Sequence, residues 1–92
     1  MDSILQKEKC CYMCGTELNL ELHHVIFGRG RKDNSDRFGL TIWLCAKHHR
    51  GDYSPHKNRK FDLLLKELAQ EKFEETYTRE NFIYRFGRSY LE

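Results

Sequence analysis

The chain has 92 residues, a net charge of +2 and 33% charged side chains, enough for one domain and too little for two cores. No apolar run approaches the roughly eighteen residues of a membrane span, and Met1-Asp2-Ser3-Ile4-Leu5-Gln6-Lys7-Glu8 lacks the apolar stretch of a signal peptide. A soluble cytoplasmic protein with no membrane partner is therefore expected. A core this small leaves little surplus over chain entropy, so a staple is expected, and in a reducing compartment Cys10, Cys11, Cys14 and Cys45 read as metal ligands more readily than as disulfides.

Charge is unevenly spread. Residues 29–60 carry nine basic and three acidic side chains, a surplus of +6, while the flanks 1–28 and 61–92 are each −2. A basic third that also holds histidines points to a polyanionic partner, nucleic acid first, or more simply to a solvated loop.

In chain order, Ser3-Ile4-Leu5-Gln6 has the form of a capping box, which predicts a short helix from Ile4 to about Lys9. Cys11-Tyr12-Met13-Cys14-Gly15 follows as a tight turn in which both sulfurs can reach one ion. A redox CxxC wants a strand before it and a helix after it, whereas Gly15-Thr16-Glu17 reads as turn. Cys10 lies outside the spacing. Residues 18–27 alternate as a half-buried strand does, with Leu18, Leu20, Leu22 and His24 on one face and His23 on the other. The adjacent histidines are thus expected to do different jobs.

Gly28, Gly30 and Gly39 mark residues 28–39 as a long loop whose Arg29, Arg31, Lys32 and Arg37 can each meet a phosphate. Residues 40–44, β-branched and aromatic, predict a second strand antiparallel to the first. Cys45-Ala46-Lys47-His48 then repeats the ligand spacing, and CxxC with CxxH makes Cys11, Cys14, Cys45 and His48 a Cys₃His zinc set. His49 is left over beside it. Beyond the turn at 50–55 stand His56 and the basic Lys57, Arg59 and Lys60.

Phe61, Leu64, Leu65, Leu68, Ala69, Phe73 and Tyr77 recur at helical spacing and predict an amphipathic helix over 58–77. Its basic start and acidic end oppose the helix dipole, which makes sense if Lys57, Arg59 and Lys60 serve binding. Thr78 caps a final helix with Phe82, Ile83 and Phe86 inward and Gly87 as its stop. Tyr12 and Trp43 are expected in the core. The whole is a single α+β domain, residues 1–92, with a metal-binding core over 9–60 and a helical tail over 58–92.

A CxxC turn, a strand ending in His23-His24, a basic glycine-containing loop, a second strand, then Cys45-x-x-His48-His49 opening a helix resembles the HNH endonucleases, built on the ββα-metal (His-Me) finger. The likeness covers about residues 9–60. The chain as a whole is similar to small phage-encoded HNH-type proteins, through "HHVIFG", "GL", "WLC" and "HH" and a tail closing near "FGRSYL". The resemblance implies a small zinc-stabilised ββα-metal finger, a β-hairpin plus helix, with flanking helices and a helical C-terminal tail.

It also implies roles. His23 takes the place of the first ligand of a catalytic divalent ion (Mg²⁺, Mn²⁺, Ni²⁺ or Zn²⁺), His49 that of the second, and His24 that of the general base. Zinc at Cys11, Cys14, Cys45 and His48 is structural. A further family histidine would fall on Tyr53; His56 serves in its stead, or meets a phosphate, or is simply exposed. The family's middle asparagine falls on Leu40, and Asn34 replaces it only if the loop folds back.

The activity implied is metal-dependent hydrolysis of DNA phosphodiester bonds, on duplex, in host cytoplasm if phage-encoded, with a homodimer favoured for double-strand cutting. From another class, a non-catalytic zinc-stabilised DNA-binding module would keep the cysteines and the basic third but has no need of His24. A third reading is a phage packaging or recombination accessory factor that acts with a partner such as a terminase or recombinase filament.

Overall fold

The computed structural model describes residues 2–91 and runs β1 (Leu20–His24), α1 (Arg31–Phe38), β2 (Thr41–Cys45), α2 (Ala46–Arg50), α3 (Arg59–Phe73) and α4 (Arg79–Phe86). Thr41-Ile42-Trp43-Leu44 favours an extended backbone, and β2 pairs antiparallel with β1, setting His23 opposite Ile42 and His24 opposite Thr41. Because successive strand residues point to opposite faces, His23 joins Ile42 and Leu44 on the buried face while His24 looks the other way. β1 is shorter than the alternation implied: Asn19 has a φ of 54°, which breaks the extended backbone, and Leu18 is exposed.

The helix expected from Ile4 to Lys9 does not form. The Ser3 hydroxyl accepts from the Leu5 and Gln6 N–H groups at 3.0 Å, as a capping hydroxyl would. Gln6, however, turns away, and its Oε1 accepts from the Trp43 N–H at 2.8 Å. Ile4 N–H donates to Gly39 O at 2.9 Å and Tyr12 N–H to Trp43 O at 2.8 Å, while the Ser3 hydroxyl donates to Thr41 O. The segment thereby satisfies the edge of β2 that faces away from β1. Covering an otherwise open strand edge outweighs a marginal helix of six residues.

Residues 28–39, expected as a loop, contain α1, framed by Gly30 and Gly39 in the left-handed region at φ 75° and 74°. Its side chains are polar apart from Phe38, so no apolar stripe announces it. Polar contacts hold it instead. Arg31 Nε donates to Phe86 O and Asn34 Nδ2 to Arg85 O, both at 2.7 Å, supplying partners to carbonyls that the last turn of α4 leaves open. Ser35 is fully buried and accepts from Ile26 N–H at 3.1 Å while donating to Ile26 O.

α3 begins at Asn58, whose side chain accepts from Phe61 N–H at 3.1 Å. Its Leu65, Ala69 and Phe73 join Val25, Ile26, Leu40, Ile42, Leu44, Phe82 and Phe86 in one core. The stripe is narrower than expected: Leu64, Leu68 and Tyr77 are exposed, and the helix stops at Phe73. Asp62, Lys66 and Gln70 are buried instead. Lys66 Nζ lies 2.7 Å from Asp62 Oδ2, and Gln70 accepts from the Tyr90 N–H of the tail at 2.7 Å. α4 runs from a Thr78 cap to Gly87, with Phe82 and Phe86 buried and Ile83 exposed. Tyr12 is exposed too, and Trp43 is half-buried with Lys9 Nζ 4.7 Å from its ring. Among the described residues, no helix is long and apolar enough to cross a membrane.

Candidate metal centres

The first centre is assembled by two local turns. Cys11 N–H donates to Thr16 O and Gly15 N–H to Cys11 O, both at 2.8 Å, with Gly15 at φ 78°, so the chain folds tightly around Cys11 and Cys14. Cys45 is the residue before α2, and His48 follows three positions later on the same helical face. The Sγ atoms of Cys14 and Cys45 are 3.9 Å apart, and His48 Nδ1 lies 3.3 Å from Cys45 Sγ and 3.6 Å from Cys11 Sγ. Four donors around one zinc at Zn–S about 2.3 Å and Zn–N about 2.0 Å stand roughly 3.5–3.8 Å from one another. Cys11, Cys14, Cys45 and His48 are therefore placed to hold one metal ion, consistent with structural zinc.

Burial pushes the Cys11 thiol up, but the backbone N–H groups of Cys45, Cys14 and Met13 outweigh it, and its pKa falls to about 6. The thiolate that a metal needs is therefore accessible near neutrality. Cys10 stands apart, with Gln6 Nε2 3.9 Å from its sulfur.

The second centre lies on the other side of α2. His49 follows His48, so it projects about 100° further round the helix and meets His23 from β1 and His56 from the loop before α3. Their ring centroids are 5.0–5.3 Å apart in all three pairs, each edge to face. One ligating nitrogen from each falls within 4.8 Å of the others, with His49 Nε2 and His56 Nε2 at 3.3 Å. His23 is 1% exposed, and neither of its ring nitrogens has a hydrogen-bond partner among the described residues. A buried polar group without a partner costs about 1–3 kcal/mol, and an ion at the meeting point of the three rings would remove that cost.

Burial, then the neighbouring His56 and His49, push His23 down to about 3, so this ring is neutral and keeps a lone pair to offer. Burial and His49 likewise hold His56 below its ordinary value. Neutral imidazoles suit borderline divalent ions such as Zn²⁺ or Ni²⁺.

Glu21 orients the set. Two residues before His23 and on the same face of β1, its Oε1 lies 2.7 Å from His49 Nδ1, so that nitrogen carries the proton and Nε2 turns its lone pair to the cluster. Arg50 in turn binds Glu21 through Nε at 3.0 Å and through Nη2. First Arg50 and then His49 hold the Glu21 carboxyl below the ordinary range. Carboxylates behind metal-binding imidazoles are worth about 10–100-fold in metal affinity. Glu21→Ala is expected to weaken Ni²⁺ or Mn²⁺ binding by about that factor while tightly held zinc stays at one per chain. Isothermal titration beside elemental analysis reads both, and an unchanged affinity would remove Glu21 from this role.

His24 shares the cavity without belonging to either cluster. Leu22, His23, His24, Phe27, Lys32, His49 and His56 line it. His24 Nε2 is 3.7 Å from Asp36 Oδ1, and burial followed by the charge of Lys32 lowers its pKa against the pull of Asp36. The ring is therefore neutral near pH 7, with a nitrogen able to take a proton.

The basic residues divide. Arg29, Arg37, Lys57 and Lys60 are exposed, whereas Arg31 is committed to Phe86 O, and Arg59 binds Asp62 Oδ2 at 2.7 Å with its side chain still 65% exposed. Through Nε, Arg31 joins α1 to α4. Asn34 likewise caps Arg85 O and does not fold back on the strand; Ser35 pins the segment after His24 in its place. Glu21 and Ser35 are missed from sequence. Glu21 at least left a trace, an acidic residue at strand spacing from His23, while a lone serine in a polar run leaves none.

Comparison with protein-family models, with curated proteins and with solved structures gives no match. What the chain itself defines is a small α+β protein built on a two-stranded antiparallel hairpin, with a Cys/His cluster able to bind a metal such as zinc.

Proposed function

We propose that this protein is a metal-dependent DNA endonuclease of the HNH type, its hairpin and α2 forming a zinc-stabilised ββα-metal finger. The observation that carries the reading is one cavity in which three imidazoles converge, His23, His49 and His56, with a fourth, His24, beside them and outside both clusters. A binding module stabilised by zinc alone has no use for a second imidazole cluster. The surplus of +6 over residues 29–60 supports a polyanionic substrate, with Arg29, Arg37, Lys57, Arg59 and Lys60 as DNA contacts.

His23, His49 and His56 would hold a divalent ion, which when bound would supply Lewis-acid stabilisation of charge on the scissile phosphate and the leaving 3′ oxygen. His24 supplies the base. Its neutral ring takes a proton from water as the water oxygen bonds to phosphorus in line, and the phosphorus–O3′ bond breaks. The leaving 3′ oxygen takes its proton from solvent. Glu21 and Ser35 do no chemistry; they hold His49 and the backbone after His24 in place.

The test is nicking of supercoiled plasmid by zinc-loaded protein with added Mg²⁺, Mn²⁺ or Ni²⁺. Nicking that requires the added ion is the expected result. DNA binding without cleavage under any ion would sink the catalytic reading and leave the zinc-stabilised binding module.

A further inference from the structure

Lys32 differs from the other basic residues of the middle third. It alone of the seven candidate DNA contacts lines the cavity that holds His23, His24, His49 and His56. Arg31 Nε donates to Phe86 O and Arg59 Nη1 to Asp62 Oδ2; Lys32 has no hydrogen-bond or ion-pair partner among the described residues. The backbone beneath it is held firmly. Arg31 and Asn34 tie α1 to the end of α4 at 2.7 Å, and Ser35 bonds both polar groups of Ile26. Residues four apart share a helix face, and Asp36, one turn beyond Lys32, lies 3.7 Å from His24. The face of α1 that carries Lys32 therefore looks into the cavity.

Lys32 is exposed, as Lys57 and Lys60 are, but unlike them it lines the histidine cavity. An uncommitted ammonium on a clamped helix, facing the same space as the base and the three-imidazole cluster, is placed where the reacting phosphate must come. We propose that Lys32 is a catalytic residue, donating a hydrogen bond to a non-bridging oxygen of the scissile phosphate and stabilising the negative charge that builds there during attack. The ammonium keeps its proton throughout, so it adds nothing to the proton balance set by His24. This proposal rests on the nuclease reading.

The experiment compares wild type, Lys32→Met and Lys32→Arg on two substrates, supercoiled plasmid and bis(p-nitrophenyl) phosphate, a small diester with no flanking phosphates. A donor aimed at developing charge is worth about 10²–10³-fold in kcat. Lys32→Met is expected to lower kcat on both substrates by about 10²-fold with little change in KM for plasmid, and Lys32→Arg to recover part of it. Melting temperature and divalent-ion affinity should match wild type, since Lys32 supports no internal contact. Unchanged turnover of the small diester with a raised KM for plasmid would reduce Lys32 to a backbone contact and overturn the proposal. If wild type hydrolyses neither substrate with any ion while binding DNA, the nuclease reading itself falls and the role of Lys32 with it.

Discussion

His24→Ala is expected to lower plasmid nicking by about 10²–10⁴-fold, the usual worth of a positioned general base, while zinc content, divalent-ion affinity and melting temperature stay at wild-type values. The separation follows from where the ring sits. His24 lies on the opposite face of β1 from His23, makes no bond that holds the fold, and stands apart from both metal-binding sets. Its alanine variant should therefore bind both ions and fail only at proton removal. His23→Ala should behave differently, losing divalent-ion affinity together with turnover, because His23 is one of the three converging rings. Single-turnover nicking with saturating Mn²⁺ or Ni²⁺ distinguishes the two. A His24→Ala protein that nicks at the wild-type rate would move the base elsewhere.

The second large effect concerns the fold. Cys45→Ser is expected to abolish stoichiometric zinc and the cooperative thermal transition together, leaving a largely unfolded chain at 37 °C. A zinc ion in the Cys11, Cys14, Cys45 and His48 cluster would hold the Cys11–Cys14 turn to the junction of β2 and α2, segments more than thirty residues apart in sequence. Zinc binding by a small finger is worth about 10–16 kcal/mol in apparent terms, against a net stability of about 5–15 kcal/mol for a whole domain. A core of this size cannot absorb such a loss. Cys10→Ser supplies the contrast, since Cys10 lies outside the cluster and its replacement should leave one zinc per chain and an unchanged melt. Circular dichroism and elemental analysis settle both, and a Cys45→Ser protein that melts like wild type would show that the core stands without the ion.

These effects were legible in the sequence to different degrees. Wherever structure is made by neighbours a few residues apart, the residues announce it. The CxxC turn and the CxxH at the start of α2 set ligand geometry within three residues. Asn58, Thr78 and Gly87 mark helix ends because a cap is a bond to the nearest turn. The two strands and their antiparallel pairing followed from β-branched and alternating runs.

Local pattern failed where distant segments competed for the same polar groups. Gln6 belonged by spacing to a capping box, but the open edge of β2 offered the Trp43 N–H and won. α1 has no apolar stripe and is a helix because Arg31, Asn34 and Ser35 find carbonyl and amide partners on α4 and after β1. The bond from Glu21 that aims His49 likewise joins residues 28 positions apart, whereas the grouping of His23, His49 and His56 was already implied by the family resemblance. Periodicity records which face of an element is apolar, and hydrogen bonds between distant polar side chains leave no period to read. The sequence by itself thus determined the Cys/His cluster, the caps at Asn58, Thr78 and Gly87 and the strands, while the tertiary structure alone decided that Glu21 aims His49 and that Lys32 opens into the histidine cavity.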